Sequence, residues 1–411
     1  MIQASESPLV RALLSETGWD VDTLISPLDT MYTASLPRGH EAALVEYFQR
    51  GIESVHASAA VAASLATRAP RILEFAAGFG RLTRFLVKRY DPSRIVTSDI
   101  DEPAVDFCRE RIGVRSVLSA MEPEDLAIDG KFDLILVYSL FSHLPADRFT
   151  RWLARLYTLL DDGGFLVISV HDDRSVPPEH RGPDGFTFTP DSESRFLESA
   201  VYGSTWISPD YARRAIAETC PGARTTHVPW GLSNYQDVYV IGRGATAAPF
   251  DPGPFGFFDV CRREADQIQF IGWAAHHDPS HRAASVHAIL GGRELGSTTI
   301  FTPRPEVALF TGEPRHAMSG WGITAPFPES SAPNGGALLI KAVSETGASS
   351  FHWVGYLSDA FLASTRAENE DLRRRLQESE DLRRRLQESE RELARLEGSV
   401  WLRALKRLRL L

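Results

Sequence analysis

Between residues 71 and 243, short runs of β-branched and aliphatic residues alternate with amphipathic stretches, and this alternation restricts the fold more than any other feature of the chain. The runs are RILEF (71–75), RIVTSD (94–99), VRSVL (114–118), FDLILVY (132–138) and GFLVISV (164–170). Between them lie GRLTRFLVKRY, DEPAVDFCRERI and PADRFTRWLARLYTLL, whose apolar residues recur at helical spacing. Strands separated by helices cannot close as hairpins and must be joined by crossovers. The pattern therefore predicts a Rossmann-like, doubly wound parallel α/β sheet. Asp101, ahead of Glu102 and Pro103, is expected to cap the second helix.

The flanking regions differ in character. Residues 1–70 read as a helical cap, with Leu44, Tyr47, Phe48, Ile52 and Val55 on one face. A Pro/Gly/Ala stretch at 244–256 reads as a linker. Residues 257–362 carry short aromatic and β-branched runs without intervening helical segments, which predicts a small antiparallel β-sandwich. Trp273, Trp321 and Trp353 could read a ligand there, but aromatics in a small sandwich more often form its core. In 366–411 the decapeptide EDLRRRLQES occurs twice in succession, at 370–379 and 380–389. Downstream, Leu386, Leu393 and Val400 share one heptad position and Ser389 and Leu396 the other, so a coiled coil is expected. Its end, WLRALKRLRLL, sets Trp401, Leu405 and Leu408 on one face and adds Arg403, Lys406, Arg407 and Arg409, a basic amphipathic tip suited to an anionic membrane surface.

Composition limits the function. A net charge of −10 argues against a nucleic-acid partner, which would require a positive surface. Cys108, Cys220 and Cys261 are too few and too dispersed for a disulfide framework or a metal-ligand set, and His276, His277 and His281 fit no metal template. No metal is expected, and a reducing, cytoplasmic setting is, with contact at the inner face of the membrane through the tip.

The chemistry is concentrated in the first strand-to-helix turn, Glu74-Phe75-Ala76-Ala77-Gly78-Phe79-Gly80, where Gly78 and Gly80 allow backbone to approach a ligand. The next strand ends in Asp99, 25 residues after Glu74, close to the interval at which a carboxylate meets ribose hydroxyls in Rossmann-like folds. The spacing Ala76-x-Gly78-x-Gly80, followed by Leu82 and Thr83, departs from the G-x-G-x-x-G pyrophosphate turn, so a nicotinamide dinucleotide is poorly supported.

Four segments together resemble the class I S-adenosylmethionine-dependent methyltransferases: ILEFAAGFGRLTRFL (72–86), IVTSDIDEPAVDFC (95–108), FDLILVYSLFSHLP (132–145) and LYTLLDDGGFLVIS (156–169). QDVYVIGR (236–243) is similar to the family's last strand. The resemblance implies that Glu74, Gly78, Phe79 and Gly80 line the methionine part of S-adenosylmethionine, with Ala76 in the cofactor-binding turn where the family usually has its first glycine, that Asp99 holds the ribose and that Ile100 packs on the adenine. Ala120 and Met121 fill the adenine region, where the family's usual acidic residue is replaced by Ser119, and Tyr138 borders the sulfonium. If the acceptor is a hydroxyl, a base near neutral pKa is needed. His143, just past a strand, is the candidate catalytic residue, against a purely structural role, with His171 behind it.

The segment PLDTMY…YFQRG (27–51) resembles the cap of glycan-associated methyltransferases. With the β-region and coil, it makes a sugar hydroxyl of a bacterial surface polysaccharide or its precursor the expected acceptor, and a homo-oligomer the expected assembly. A small-molecule methyltransferase or an inactive methyltransferase-fold scaffold are the alternatives. The insertion Asp172–Asp210 reads as a lid.

Overall fold

A computed structural model of the chain describes residues 1–192, 194, 196–244, 246–278, 280–328, 335–365, 377, 384, 385 and 388–391. The repeat, the coiled coil and the basic tip expected at 366–411 lie essentially outside the described residues.

The N-terminal unit comprises β1 (Ile2–Gln3), α1 (Pro8–Ser15), β2 (Leu24–Ile25), α2 (Thr30–Thr33) and the long α3 (His40–Ala63). Ser7 caps α1 by accepting the Val10 N–H, and Asp29 caps α2 by accepting that of Met31. On α3, Tyr47, Phe48, Ile52 and Val55 are buried, as the spacing predicts.

The central unit runs β3 (Ile72–Phe75), α4 (Thr83–Arg89), β4 (Ile95–Asp99), α5 (Glu102–Phe107), β5 (Arg115–Leu118), β6 (Phe132–Val137), α6 (Ala146–Leu159), β7 (Leu160–Asp172), β8 (Phe186–Thr189), β9 (Ser204–Ile207), α7 (Pro209–Thr219), β10 (Arg224–Leu232) and β11 (Gln236–Gly242). The sheet order is β10-β11-β7-β6-β3-β4-β5, with β8 and β9 attached beyond the end of β7. Strands β7, β6, β3, β4 and β5 are parallel, whereas β11 returns antiparallel to β7 and β10. The chain starts in the middle at β3 and goes first to β4 and later to β6, so its direction reverses there. That reversal opens a crevice outside the carboxyl ends of β3 and β6. Asp133 braces the start of β6, its Oδ2 accepting the Arg71 N–H at 2.7 Å. Asp101 occupies the position before α5, but its side chain makes no capping bond. Its own N–H is instead held by Asp99 Oδ1 at 2.9 Å.

The C-terminal unit has β12 (Phe255–Glu264), β13 (Gln267–Ala275), β14 (Ala283–Leu290), β15 (Arg293–Thr298), α8 (Pro305–Thr311), β16 (Gly320–Pro326), β17 (Ala337–Ser344) and β18 (Ser349–Tyr356). They form two antiparallel sheets, β12-β13-β16 and β15-β14-β17-β18, which share a core containing Phe270, Val286, Trp321, Ile323 and Ile340. The expectation that no helix interrupts these strands is corrected by α8 and the 3₁₀ turn Pro314–Met318. Pro305 at the first helical position and Gly312 in the left-handed conformation after the last are the local signals that bound α8.

The stretch 244–256 is not a free tether: Ala248, Phe250 and Asp251 are buried, and the Phe250 ring sits 6.4 Å from that of Tyr138. Helices α1 and α3 are packed between the central unit and the sheet containing β17 and β18, in one continuous core. Polar contacts reinforce that packing: Gln49 Nε2 donates to the Phe351 carbonyl at 2.8 Å and Tyr356 Oη to Glu41 Oε1 at 3.0 Å, and Lys341 pairs with Glu16 at 3.2 Å. Among the described residues, no helix is long and apolar enough to cross a membrane.

Candidate functional site

A cleft of about 220 Å³ occupies the crevice at the carboxyl ends of β3, β4 and β6. Glu74, Ala76, Gly78, Phe79, Asp99, Ile100, Ala120, Met121, Tyr138 and His143 all line it. Gly80 does not. It stands behind the cleft at φ +70°, where a Cβ would lie 2.2 Å from Ile112 Cδ1, so it shapes the turn and lets the π-helical turn Cys108–Ile112 after α5 pack close. Gly78, at φ +54°, has nothing within 4 Å of the Cβ position, which leaves open space for a ligand. Ala76 takes the left-handed conformation at φ 59°, a conformation glycine adopts without strain.

The turn is held by carboxylates. Asp99 Oδ2 accepts the Gly78 N–H at 2.7 Å, and Oδ1 accepts that of Asp101. Burial raises the Asp99 carboxyl above its ordinary range, with the backbone N–H donors opposing that shift. Glu74 is buried, and Thr83 Oγ1 donates to its Oε2 at 2.6 Å. Burial pushes its carboxyl up to about 8, with the Thr83 bond opposing. A buried acid so poorly compensated suits a cationic ligand group beside it, and the ammonium and sulfonium of S-adenosylmethionine are of that kind. The residues present therefore fit this cofactor.

The N-terminal unit also contributes to the cleft through Asp29, Thr30, Met31 and Ser54. Asp29 Oδ2 accepts from Tyr47 Oη at 2.7 Å. The buried Arg84 of α4 donates to the carbonyls of Asp22, Leu24, Phe79 and Gly80 and to Tyr47 Oη, tying residues 22–24 to the glycine turn. Tyr138 Oη is 2.8 Å from Ser58 Oγ on α3, and burial raises its phenol. At the adenine end, Arg148 of α6 donates to the Met121 carbonyl and pairs with Glu122, while Trp152 packs on Phe75 at 5.0 Å.

His143 is buried, and its Nδ1 lies 2.7 Å from the Gly203 carbonyl oxygen. A carbonyl can only accept, so Nδ1 carries a proton, and in the neutral ring Nε2 is the acceptor nitrogen. His171 is not at the cleft. Gln236 Nε2 donates to its Nε2 at 3.2 Å, its ring is 6.2 Å from that of His143, and burial holds its imidazole down at about 4. It is neutral at physiological pH and packs beside His143, outside the cleft lining.

Residues missed by sequence reasoning are Arg148, Trp152 and the inner wall of the insertion, Ser194, Phe196, Leu197, Val201 and Tyr202. Within the insertion, His180, Arg181, Phe186 and Trp206 do not line the cleft. Its irregular stretch has no periodicity from which facing residues could be read. Among the described residues, no group of three or more His, Cys, Asp or Glu is placed to hold a metal ion, and the three cysteines are free and buried.

Residues 73–166, the stretch from β3 into β7, match the family described as Methyltransferase domain. The chain is similar to the biotin biosynthesis bifunctional protein BioCD of Bordetella avium, at 32% identity over 157 residues, 36% of this chain and 32% of that protein. It thus spans about a third of that relative's length. Among solved structures it is similar to DesVI of Streptomyces venezuelae (15% identity, TM-score 0.40, covering 54% of this chain and 99% of that one). It is also similar to the 1,6-didemethyltoxoflavin-N1-methyltransferase of Burkholderia thailandensis (19% identity, TM-score 0.36, covering 55% and 93%).

Proposed function

We propose that the whole chain is an O-methyltransferase acting on a sugar hydroxyl of a bacterial surface polysaccharide or its lipid-linked precursor, with His143 as the base. The observation that carries the methyl-transfer reading is that one cleft brings together the ribose carboxylate Asp99, the buried acid Glu74 and a histidine with an acceptor nitrogen. When bound, S-adenosylmethionine supplies an electrophilic methyl group. Asp99 would accept from the ribose hydroxyls, and Glu74, as a carboxylate, would balance the positive end. His143 Nε2 would take the hydroxyl proton of an acceptor that receives that methyl group. The walls of the cleft position both partners and exclude water, which supplies most of the rate in a displacement of this kind.

The sugar acceptor is supported by the resemblance of 27–51 to a glycan-associated cap, and Asp29, Thr30 and Met31 of that segment lie in the cleft. A small-molecule acceptor is the second reading, favoured by the apolar wall of Phe196, Leu197 and Val201. Incubation with methyl-labelled cofactor and polysaccharide fractions, followed by linkage analysis, tests the proposal. Label in a methylated sugar supports it, and label only in small hydrophobic products favours the second reading. The β-sandwich reading of 257–362, self-association through 366–411 and membrane contact through its tip at the inner face belong to the same proposal.

A further inference from the structure

The insertion does more than roof the cleft: its segment Tyr202–Thr205 is bonded to the chain on either side of His143. The Gly203 N–H donates to the His143 carbonyl at 2.9 Å, the Thr205 N–H to that of Ser142 at 2.8 Å and Thr205 Oγ1 to that of Leu144 at 2.6 Å. With the His143 Nδ1–H bond to the Gly203 carbonyl, four hydrogen bonds fix residues 142–144. The Tyr202 ring lies flat on the imidazole, with centroids 4.6 Å apart and planes 13° apart. Gly203 admits no side chain, because a Cβ would fall 2.2 Å from the Thr189 carbonyl oxygen and 2.9 Å from the Phe188 ring. The carbonyl that faces His143 is therefore held by the β8–β9 pairing, in which Thr189 lies opposite Ser204.

We propose that Tyr202 and Gly203 are positioning residues for the base: the Gly203 carbonyl fixes the proton on Nδ1 and the Tyr202 ring fixes the imidazole plane, so that Nε2 is the nitrogen offered to the acceptor. The inference rests on the assignment of His143 as the base. Because the same insertion supplies Ser194, Phe196, Leu197 and Val201 to the cleft wall, the base is built by the element that also encloses the acceptor.

The test is a long-range ¹H–¹⁵N correlation spectrum of full-length protein labelled at its 12 histidines, with S-adenosylhomocysteine present. The His143→Gln spectrum identifies the signal. The expected result is an Nδ1–H tautomer favoured by about tenfold, the preference one retained hydrogen bond confers. It should be kept in Tyr202→Phe and fall toward an even mixture in Tyr202→Ala. An Nε2–H tautomer in the parent protein overturns the proposal whether or not Tyr202→Ala folds, as does an unchanged ratio in folded Tyr202→Ala. Calorimetry of S-adenosylmethionine binding to the same proteins, free of S-adenosylhomocysteine, separates the two failures. Cofactor binding with the wrong tautomer sinks this inference and leaves the methyltransferase reading standing, and absent binding sinks that reading.

Discussion

The carboxylate of Asp99 and the amide of Gly78 are joined at 2.7 Å, so the residue assigned to the ribose also closes the glycine turn that faces it. Asp99→Ala removes two functions at once. Its loss is expected to weaken S-adenosylmethionine binding by about 1.5–3 kcal/mol, the range for a hydrogen bond to a charged group, and to lower the melting temperature because the Gly78 and Asp101 N–H groups lose their acceptor. Calorimetric titration and thermal melts check both. Full affinity in a folded variant would remove Asp99 from the site.

With Glu74 beside the bound cofactor, as proposed, cofactor binding is expected to depend on pH. Its carboxyl titrates at about 8 in the free protein and is therefore largely protonated at neutral pH. A cationic ligand beside it favours the carboxylate, so binding releases a proton and affinity should rise with pH, by up to about tenfold per unit, until it levels near pH 8. The sign for folding is opposite. A folded-state value above the ordinary 4.5 favours the native state at low pH, and that contribution is lost as pH climbs through 8. Glu74→Gln should bind the cofactor more weakly, flatten the affinity profile and stabilise the free protein at pH 8. Titrations from pH 6 to 9 in two buffers of different ionisation enthalpy report the released proton directly.

His143→Ala should reduce turnover by about 10²–10⁴ once an acceptor is in hand, while S-adenosylmethionine binds almost as before. His143→Gln, closer in size, guards against collapse of the buried site. A loss of cofactor binding in step with a loss of thermal stability would assign the residue to structure alone.

Deleting Ser399–Leu411 should abolish sedimentation with anionic liposomes at low salt, and light scattering of the undeleted protein should show a mass above 45.5 kDa. A monomer indifferent to liposomes in both salts would end that part of the proposal.

The central sheet was legible because its strands and helices differ in period, and only crossover connections satisfy both. The turn was legible in identity but not in division of labour. Gly78 and Gly80 look alike in sequence, yet one leaves room for a ligand and the other makes room for Ile112. Arg148, Trp152 and Tyr202 were not legible because their positions depend on where α6 and an irregular insertion cross the cleft, which no local pattern records. The short α8 was hidden for another reason: a seven-residue helix gives too few turns to outweigh the neighbouring strands.

Helix α3 has Ser58 on the Tyr138 hydroxyl and Gln49 on the backbone of β18. A helix so engaged on two sides is a party wall rather than a border, and neither neighbour can be lifted away without laying bare a face of the wall itself. The sheet region is thus masonry built into the enzyme, not a module threaded beside it, and a chain cut near residue 250 would be a house with one side open.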